Sequence, residues 1–302
     1  MAAIFWRSVL AGEVAIAIAF AMLALGRVDT WAIVPSVLGA VVLIQYLLAA
    51  GSMATARALA HDSETPLSIL SITRATVSES VSFFFAQLAM STEPWLRGFE
   101  IARGANAGPR RPVLLVHGFA CNRGVWRWLQ RRLHAAGFAH VHAVNLQPVR
   151  GDIDRLADAV ERELLTMHRA YEGARVTIIA HSMGGLVARV ALRSLGSDVI
   201  KHIITLATPH HGTAIARVLQ WPATRQMCPG SSWLADLNAT QEGRWRVPVT
   251  SIYTLEDNLV APARSPVLLG AKLHEMRGLG HFGLLASRRA LDCVMRALEE
   301  GA

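Results

Sequence analysis

The chain has 302 residues, enough for about two domains at roughly 150 residues each. With 52% hydrophobic and 17% charged residues, it is neither disordered nor held open by charge. Its net charge of +8 comes from 28 arginines and only two lysines, Lys201 and Lys272, with no aromatic-plus-basic motif or zinc-finger spacing, so nucleic-acid recognition is set aside. A basic surface beside an anionic bilayer is the economical reading. Cys121, Cys228 and Cys293 are odd in number and widely spaced, which gives no disulfide framework, no metal-ligand spacing and a lean towards a reducing compartment.

The apolar excess is concentrated at the start. Residues 1–50 hold only Arg7, Glu13, Arg27 and Asp29 as charges. Two apolar runs, Val9–Leu25 (interrupted by Glu13) and Trp31–Ala50, approach or reach the ~20 residues of a membrane span. Gly26–Thr30 between them reads as a tight turn, so the pair forms a hairpin with both outer ends on one side of a bacterial inner membrane. Arg7, Arg57 and Arg74 flank the outer ends, against Arg27 in the turn, which puts residues 51–302 on the cytoplasmic side. A cleaved secretory signal in residues 1–25 or an exported domain is the alternative. Residues 51–65 read as a small, polar linker broken at Pro66. Leu67–Met90 then reads as a helix whose stripe Leu70, Val77, Val81, Phe84 and Leu88 packs on the domain or the anchor, or lies on a membrane surface. Thr92–Pro94 ends it, and Gly104–Pro112 is a loop.

From Val113 the pattern alternates. Strands are expected at Val113–His117, His140–Asn145, Val176–Ala180, Ile200–Leu206, Val247–Thr254 and Lys272–Met276. Helices are expected at Trp126–Ala136, Ile153–Tyr171, Met183–Leu195 and Gly283–Glu300. Uninterrupted apolar strands separated by helices imply a parallel sheet covered on both faces. Residues 207–246 break the rhythm and read as an insertion.

The segment Val176–Leu186 is a strand, a very tight turn and a helix, with Ser182 on the turn. Such an elbow exposes the Ser Oγ above the sheet and needs tiny residues two before and two after it, here Ala180 and Gly184. The residue after the nucleophile, Met183, would supply one backbone N–H to a tetrahedral oxyanion. Acid and base should follow in the order Ser, acid, His. His281, in the Gly-lined run Gly278–Gly283, fits a base that projects from a loop, whereas His274 lies inside a strand, and His210 and His211 come too early and read as cap or pocket lining. Glu256 and Asp257 both stand at the carboxyl end of the Val247–Thr254 strand, on the active-site edge.

AHSMGG at 180–185, with VLLVHGF upstream and DNLV and GLGHFGLL downstream, resembles the bacterial lipase and esterase branch of the α/β-hydrolase superfamily, over residues 110–300. The stretch Thr205–Thr213 is similar to the T-P-x-x-G segment of many lipases and lipid acyltransfer enzymes. The resemblance implies an α/β-hydrolase fold, a mainly parallel sheet with helices on both faces, here preceded by an N-terminal transmembrane helical hairpin. It assigns Ser182, Asp257 and His281 to a catalytic triad, Phe119 to the second oxyanion donor and His117 to orienting that loop. It implies no cofactor, and the stretch after His281 lacks the acid that some members of the branch use for a structural calcium ion.

The domain organisation expected is an anchor at 1–50, a linker and amphipathic helix at 51–109, and the hydrolase domain at 110–302 with a small cap at about 207–246. The function expected is hydrolysis of carboxylic esters of apolar acyl groups by a membrane-anchored serine hydrolase. Phe119, Met183, Leu259, Trp221 and Trp233 would line a groove for the lipid, the partners being the ester substrate and the bilayer. Lipid deacylation or acyl transfer on the same triad is one alternative. A non-catalytic membrane scaffold is the other.

Overall fold

A computed structural model of the chain describes residues 2–25, 30–60, 67–95 and 112–300. It opens with three long helices: α1 (Ala2–Leu25), α2 (Thr30–Ala60) and α3 (Ile69–Thr92). The first two are long and apolar enough to cross a membrane, over Ala2–Phe20 and Ala32–Leu59. The expected turn lies outside the described residues at 26–29, as do the linker at 61–66 and most of the Gly104–Pro112 loop. The expected linker at 51–60 is instead the last turns of α2. Its run of Ala, Met, Leu and Arg consists of good helix formers, and only Gly51 opposes them.

Glu13, the flaw in the first apolar run, is buried and paired. Gln45 Nε2 of α2 donates to Glu13 Oε2 at 2.8 Å and to Gln87 Oε1 at 2.7 Å. Gln87 Nε2 of α3 donates to Glu13 Oε1 at 3.0 Å. One carboxylate thus ties all three helices together.

Helix α3 begins where Ser68 caps it, its Oγ accepting from Ser71 N at 3.1 Å. The helix is present as expected, but its stripe faces the other way. Val77 and Val81 are 50% and 52% exposed, and Leu70 is exposed too, while Ala75, Thr76, Glu79, Ser80, Ala86 and Gln87 are buried. Phe84, packed near Ala17, Ala40 and Val41, and Leu88 are half-buried. The small and polar face of α3 lies on the protein because short side chains let the helix approach its neighbours closely, and Glu79 and Gln87 find partners there.

The remaining elements are β1 (Val113–Val116), α4 (Arg127–Ala135), β2 (Val141–Val144), α5 (Ile153–Ala170), β3 (Val176–His181), α6 (Met183–Val199), β4 (Ile200–Leu206), α7 (Pro222–Gln226), α8 (Ser232–Gln241), β5 (Val249–Thr254), β6 (Lys272–Met276), α9 (Gly283–Ala286) and α10 (Arg288–Glu300). The closing helix expected as one piece is therefore two, parted at Ser287. The six strands form one sheet in the order β2-β1-β3-β4-β5-β6, and every pairing is parallel.

Successive strand residues point to opposite faces. Leu114, Ile178 and Ile203 pack under α5 and α6 with Leu156, Val160, Leu186 and Val187. Leu115, Ile179 and Ile204 pack on the other side with Leu129 and Leu133 of α4, Leu291 and Val294 of α10, and Met90 of α3. Helix α3 is thus part of the hydrolase core. The chain leaves β1 towards β2 on one side and returns through β3 on the other, so the strand order reverses between β1 and β3. A crevice opens at the carboxyl ends of strands at such a point. The residues that follow β1 and β3 are His117-Gly118-Phe119 and Ser182.

Candidate active site

Ser182 sits between β3 and α6 with φ 55° and ψ −133°, a conformation few non-glycine residues adopt. Ser182 N donates to Leu206 O of β4 at 2.8 Å, which holds the turn against the sheet. A Cβ added at Gly184 would lie 2.4 Å from Val116 O and 2.5 Å from His117 O, so the helix can start this close to β1 only without a side chain there. Met183 is the first residue of α6, a position whose N–H has no partner within the helix. Its side chain is buried in the core under α5 and α6 and does not line the crevice, which corrects its expected contact with substrate.

The crevice is a cavity of about 200 Å³, lined by Gly118, Phe119, Ser182, Leu259, His281 and residues of the 207–246 insertion, among them Ile215, Ala216, Leu219 and Met227. Phe119 packs against Trp221, ring centroids 5.2 Å apart and planes tilted by 50°, and the Arg150 guanidinium lies 4.9 Å over that indole. Trp233 is not at the groove. It packs against the core, and its Nε1 donates to Asp154 Oδ2 at 2.6 Å. His210 and His211 are not lining residues either. His210 is buried beside Arg189 and Thr205, and His211 bonds to Ser265 and Glu242, because the loop after β4 turns both away from the cavity.

His117, behind the oxyanion loop, donates through Nδ1 to Gly118 O at 2.8 Å and accepts at Nε2 from Leu146 N at 3.0 Å. Burial lowers its pKa to about 4, so the ring is neutral and works as a fixed bracket between the ends of β1 and β2.

His281 Nδ1 lies 3.0 Å from both carboxylate oxygens of Asp257. Asp257 Oδ1 also accepts from Leu259 N and Val260 N, each at 2.8 Å, so its rotamer is set by its own turn. Asn258 Oδ1 accepts from His281 N at 3.0 Å. Burial opposes protonation of His281, but Asp257 outweighs it and Glu79 adds to it, so the imidazole pKa is raised. Glu256, the neighbouring carboxylate, points the opposite way. It bonds to Ser71 of α3 and to Thr254 Oγ1 and is fully buried. His181, just before Ser182, packs against His281 with ring centroids 4.6 Å apart and planes tilted by 56°, its Nε2 3.3 Å from His281 O.

One residue at the site escaped the sequence reading. Glu79 of α3 reaches under the His281 loop, and its Oε2 accepts from Phe282 N at 2.8 Å and Gly283 N at 3.0 Å. The order Ser, acid, His points to carboxylates after Ser182, whereas this one precedes β1 by 34 residues. The signal was a helix with only Arg74 and Glu79 as charges, opposite a loop with three glycines.

Residues 139–223 match the family model for a PGAP1-like alpha/beta domain. A triacylglycerol lipase of Burkholderia plantarii is 29% identical over 147 residues, 45% of this chain and 38% of that protein. A GPI inositol-deacylase of Cryptococcus neoformans var. neoformans serotype D is 33% identical over 73 residues, 24% of this chain and 10% of that protein. The match therefore spans well under half of the length of these relatives. Among solved structures, Aspergillus fumigatus lipase B superposes with a TM-score of 0.58 at 22% identity, covering 66% of this chain and 55% of that one. A Bacillus licheniformis lipase in mature form superposes with a TM-score of 0.56 at 16% identity, covering 66% and 95%. Sheet order and elbow are those of an α/β-hydrolase fold, and the proteins the chain resembles in sequence and fold include lipases.

Proposed function

We propose that the protein is a membrane-anchored serine hydrolase that cleaves carboxylic esters of apolar acyl groups. The observation that carries this is the bidentate approach of Asp257 to His281 in the cavity that Ser182 lines. Ser182 Oγ attacks the acyl carbonyl while His281 Nε2 takes its proton. Asp257 holds Nδ1–H and balances the imidazolium. The N–H groups of Phe119 and Met183 receive the oxyanion. The imidazolium returns the proton to the leaving alcohol, and water then attacks the acyl-enzyme with His281 again as base. These steps call on side chains and backbone N–H groups alone.

The apolar lining suits an acyl chain, and the anchor places the cavity beside the bilayer. Ala56 of α2 packs on Ala214 and Ala261, and Ser52 Oγ of α2 accepts from Asn258 Nδ2 at 2.9 Å. Trp6 of α1 donates to Ala120 O at 2.9 Å. Both helices of the hairpin thus meet the hydrolase domain near their outer ends, which supports placing that domain on the side of those ends, the cytoplasmic side by the arginine count. The similarity to a GPI inositol-deacylase favours a second reading, removal of an acyl chain from a lipid headgroup by the same steps.

The test is a panel of p-nitrophenyl esters, triglycerides and phospholipids offered to the full chain in detergent micelles. Hydrolysis by the wild type and its loss by about 10⁴-fold or more in Ser182→Ala supports the reading. Equal turnover by the two would refute it.

A further inference from the structure

Glu79 enters the hydrolase domain from outside the part of the chain that resembles lipases. It is 2% exposed, and the loop that carries His281 is shaped around it. A Cβ at Gly280 would lie 2.5 Å from Glu79 Oε2 and 2.7 Å from Glu79 Cβ, and one at Gly283 would lie 3.0 Å from Ser78 Oγ. The glycines beside His281 are thus the space into which α3 fits. Phe282 N and Gly283 N both donate to the one carboxylate oxygen, so the two peptides after His281 are fixed by a residue 202 positions earlier.

Resting on His281 as the base, we propose that Glu79 is a positioning residue for the reaction. Its carboxylate fixes the 280–283 loop from below, and its charge stabilises the imidazolium that forms while Ser182 is acylated. Two carboxylates then serve one imidazole: Asp257 at Nδ1, and Glu79 across the backbone. The ionisable groups facing Glu79 from the packed elements are His281 after β6 and Asp257 after β5, with His181 at the end of β3 packed against His281. His281 is attracted to the Glu79 charge and Asp257 is repelled by it. Burial raises the Glu79 carboxyl to about 7, so a proton arriving on His281 meets a group poised to be ionised. An apolar side chain at 79 could fill the same space, but it could neither accept the two N–H groups nor answer that charge.

The test is kcat/KM against pH for wild type, Glu79→Gln, Glu79→Asp and Ser182→Ala, with p-nitrophenyl butyrate and the full chain in micelles. Rates are normalised to sites titrated with a fluorophosphonate, so that poor folding does not mimic poor catalysis, and Ser182→Ala is normalised to protein. Glu79→Gln keeps a carbonyl oxygen for the two N–H groups and loses the charge. It should lower kcat about tenfold with KM unchanged and move the acid limb to lower pH, since His281 loses one of the charges that raise its pKa. Glu79→Asp keeps the charge on a shorter arm, so its rate should fall while the acid limb stays nearer the wild-type position. An acid limb in Glu79→Gln that coincides with wild type, with Ser182→Ala inactive, would overturn the role of Glu79 alone. Full activity in Ser182→Ala would overturn the triad reading and this proposal with it.

Discussion

A buried imidazole with carboxylates on two sides makes strong demands at the scale of single residues. Asp257 and Glu256 are adjacent in sequence, and the sequence alone leaves both at the end of a strand. The structure separates them, because the turn N–H groups of Leu259 and Val260 draw Asp257 towards His281 while Ser71 and Thr254 draw Glu256 away. Asp257→Asn should therefore cut kcat by about 10⁴-fold, whereas Glu256→Gln should change it several-fold at most. Steady-state kinetics of the two variants checks this, and the reverse order would mean that the acid is Glu256. Glu79 yields a stability prediction of its own. Its carboxyl is raised from 4.5 to about 7 on folding, so the folded chain holds its proton more tightly. That contribution to stability is complete below about pH 4.5 and is lost as the pH rises through about 7, a swing of ~3 kcal/mol at 1.36 kcal/mol per pKa unit. Glu79→Gln is thus expected to melt higher than wild type at pH 8, with the gain gone by about pH 4, as thermal unfolding would show. A variant stabler yet slower is the signature of a charge kept for function.

Among the elements, those that carry a local signal were legible and those that depend on a partner were not. The strand, turn and helix around Ser182 could be read because tiny residues at fixed offsets have one steric purpose there. Gly184→Ala tests it: the added methyl would press on two backbone carbonyls that cannot move aside, costing upwards of ~1–3 kcal/mol. A lowered melting temperature is the expected result, and a melt equal to wild type would remove the steric argument. The alternation of strands and helices was legible for the same local reasons. Helix α3 shows the limit. Its period was plain, but period does not say which face meets protein. The assumption that an apolar stripe is the buried side of a helix holds in water. Beside two apolar helices that assumption fails, and the face with Glu79, Ser80 and Gln87 turns inwards. The break at Ser287 and the run of α2 through 51–60 are smaller misses, set by packing and by helix formers read as linker.

At the scale of the whole molecule, the hairpin and the hydrolase domain share a core. Trp6, Met90 and Phe282 belong to one apolar cluster, and Glu13, Gln45 and Gln87 bond across three helices. The two apolar N-terminal helices and the active-site loop are thus joined through α3, a connection hidden from any reading that takes 1–109 and 110–302 as separate. The full chain should stay in the pellet when membranes are washed with carbonate, and release into the wash would count against the anchor. The central claim, a serine nucleophile at the carboxyl edge of the sheet, is tested most directly by covalent capture. Intact membranes bearing the protein are treated with a fluorophosphonate, and the adduct is located by peptide mass. The account predicts one adduct, on Ser182, absent from Ser182→Ala and much slower to form in His281→Ala. Labelling that persists in Ser182→Ala, or ester hydrolysis by a wild type that takes up no label, would contradict it.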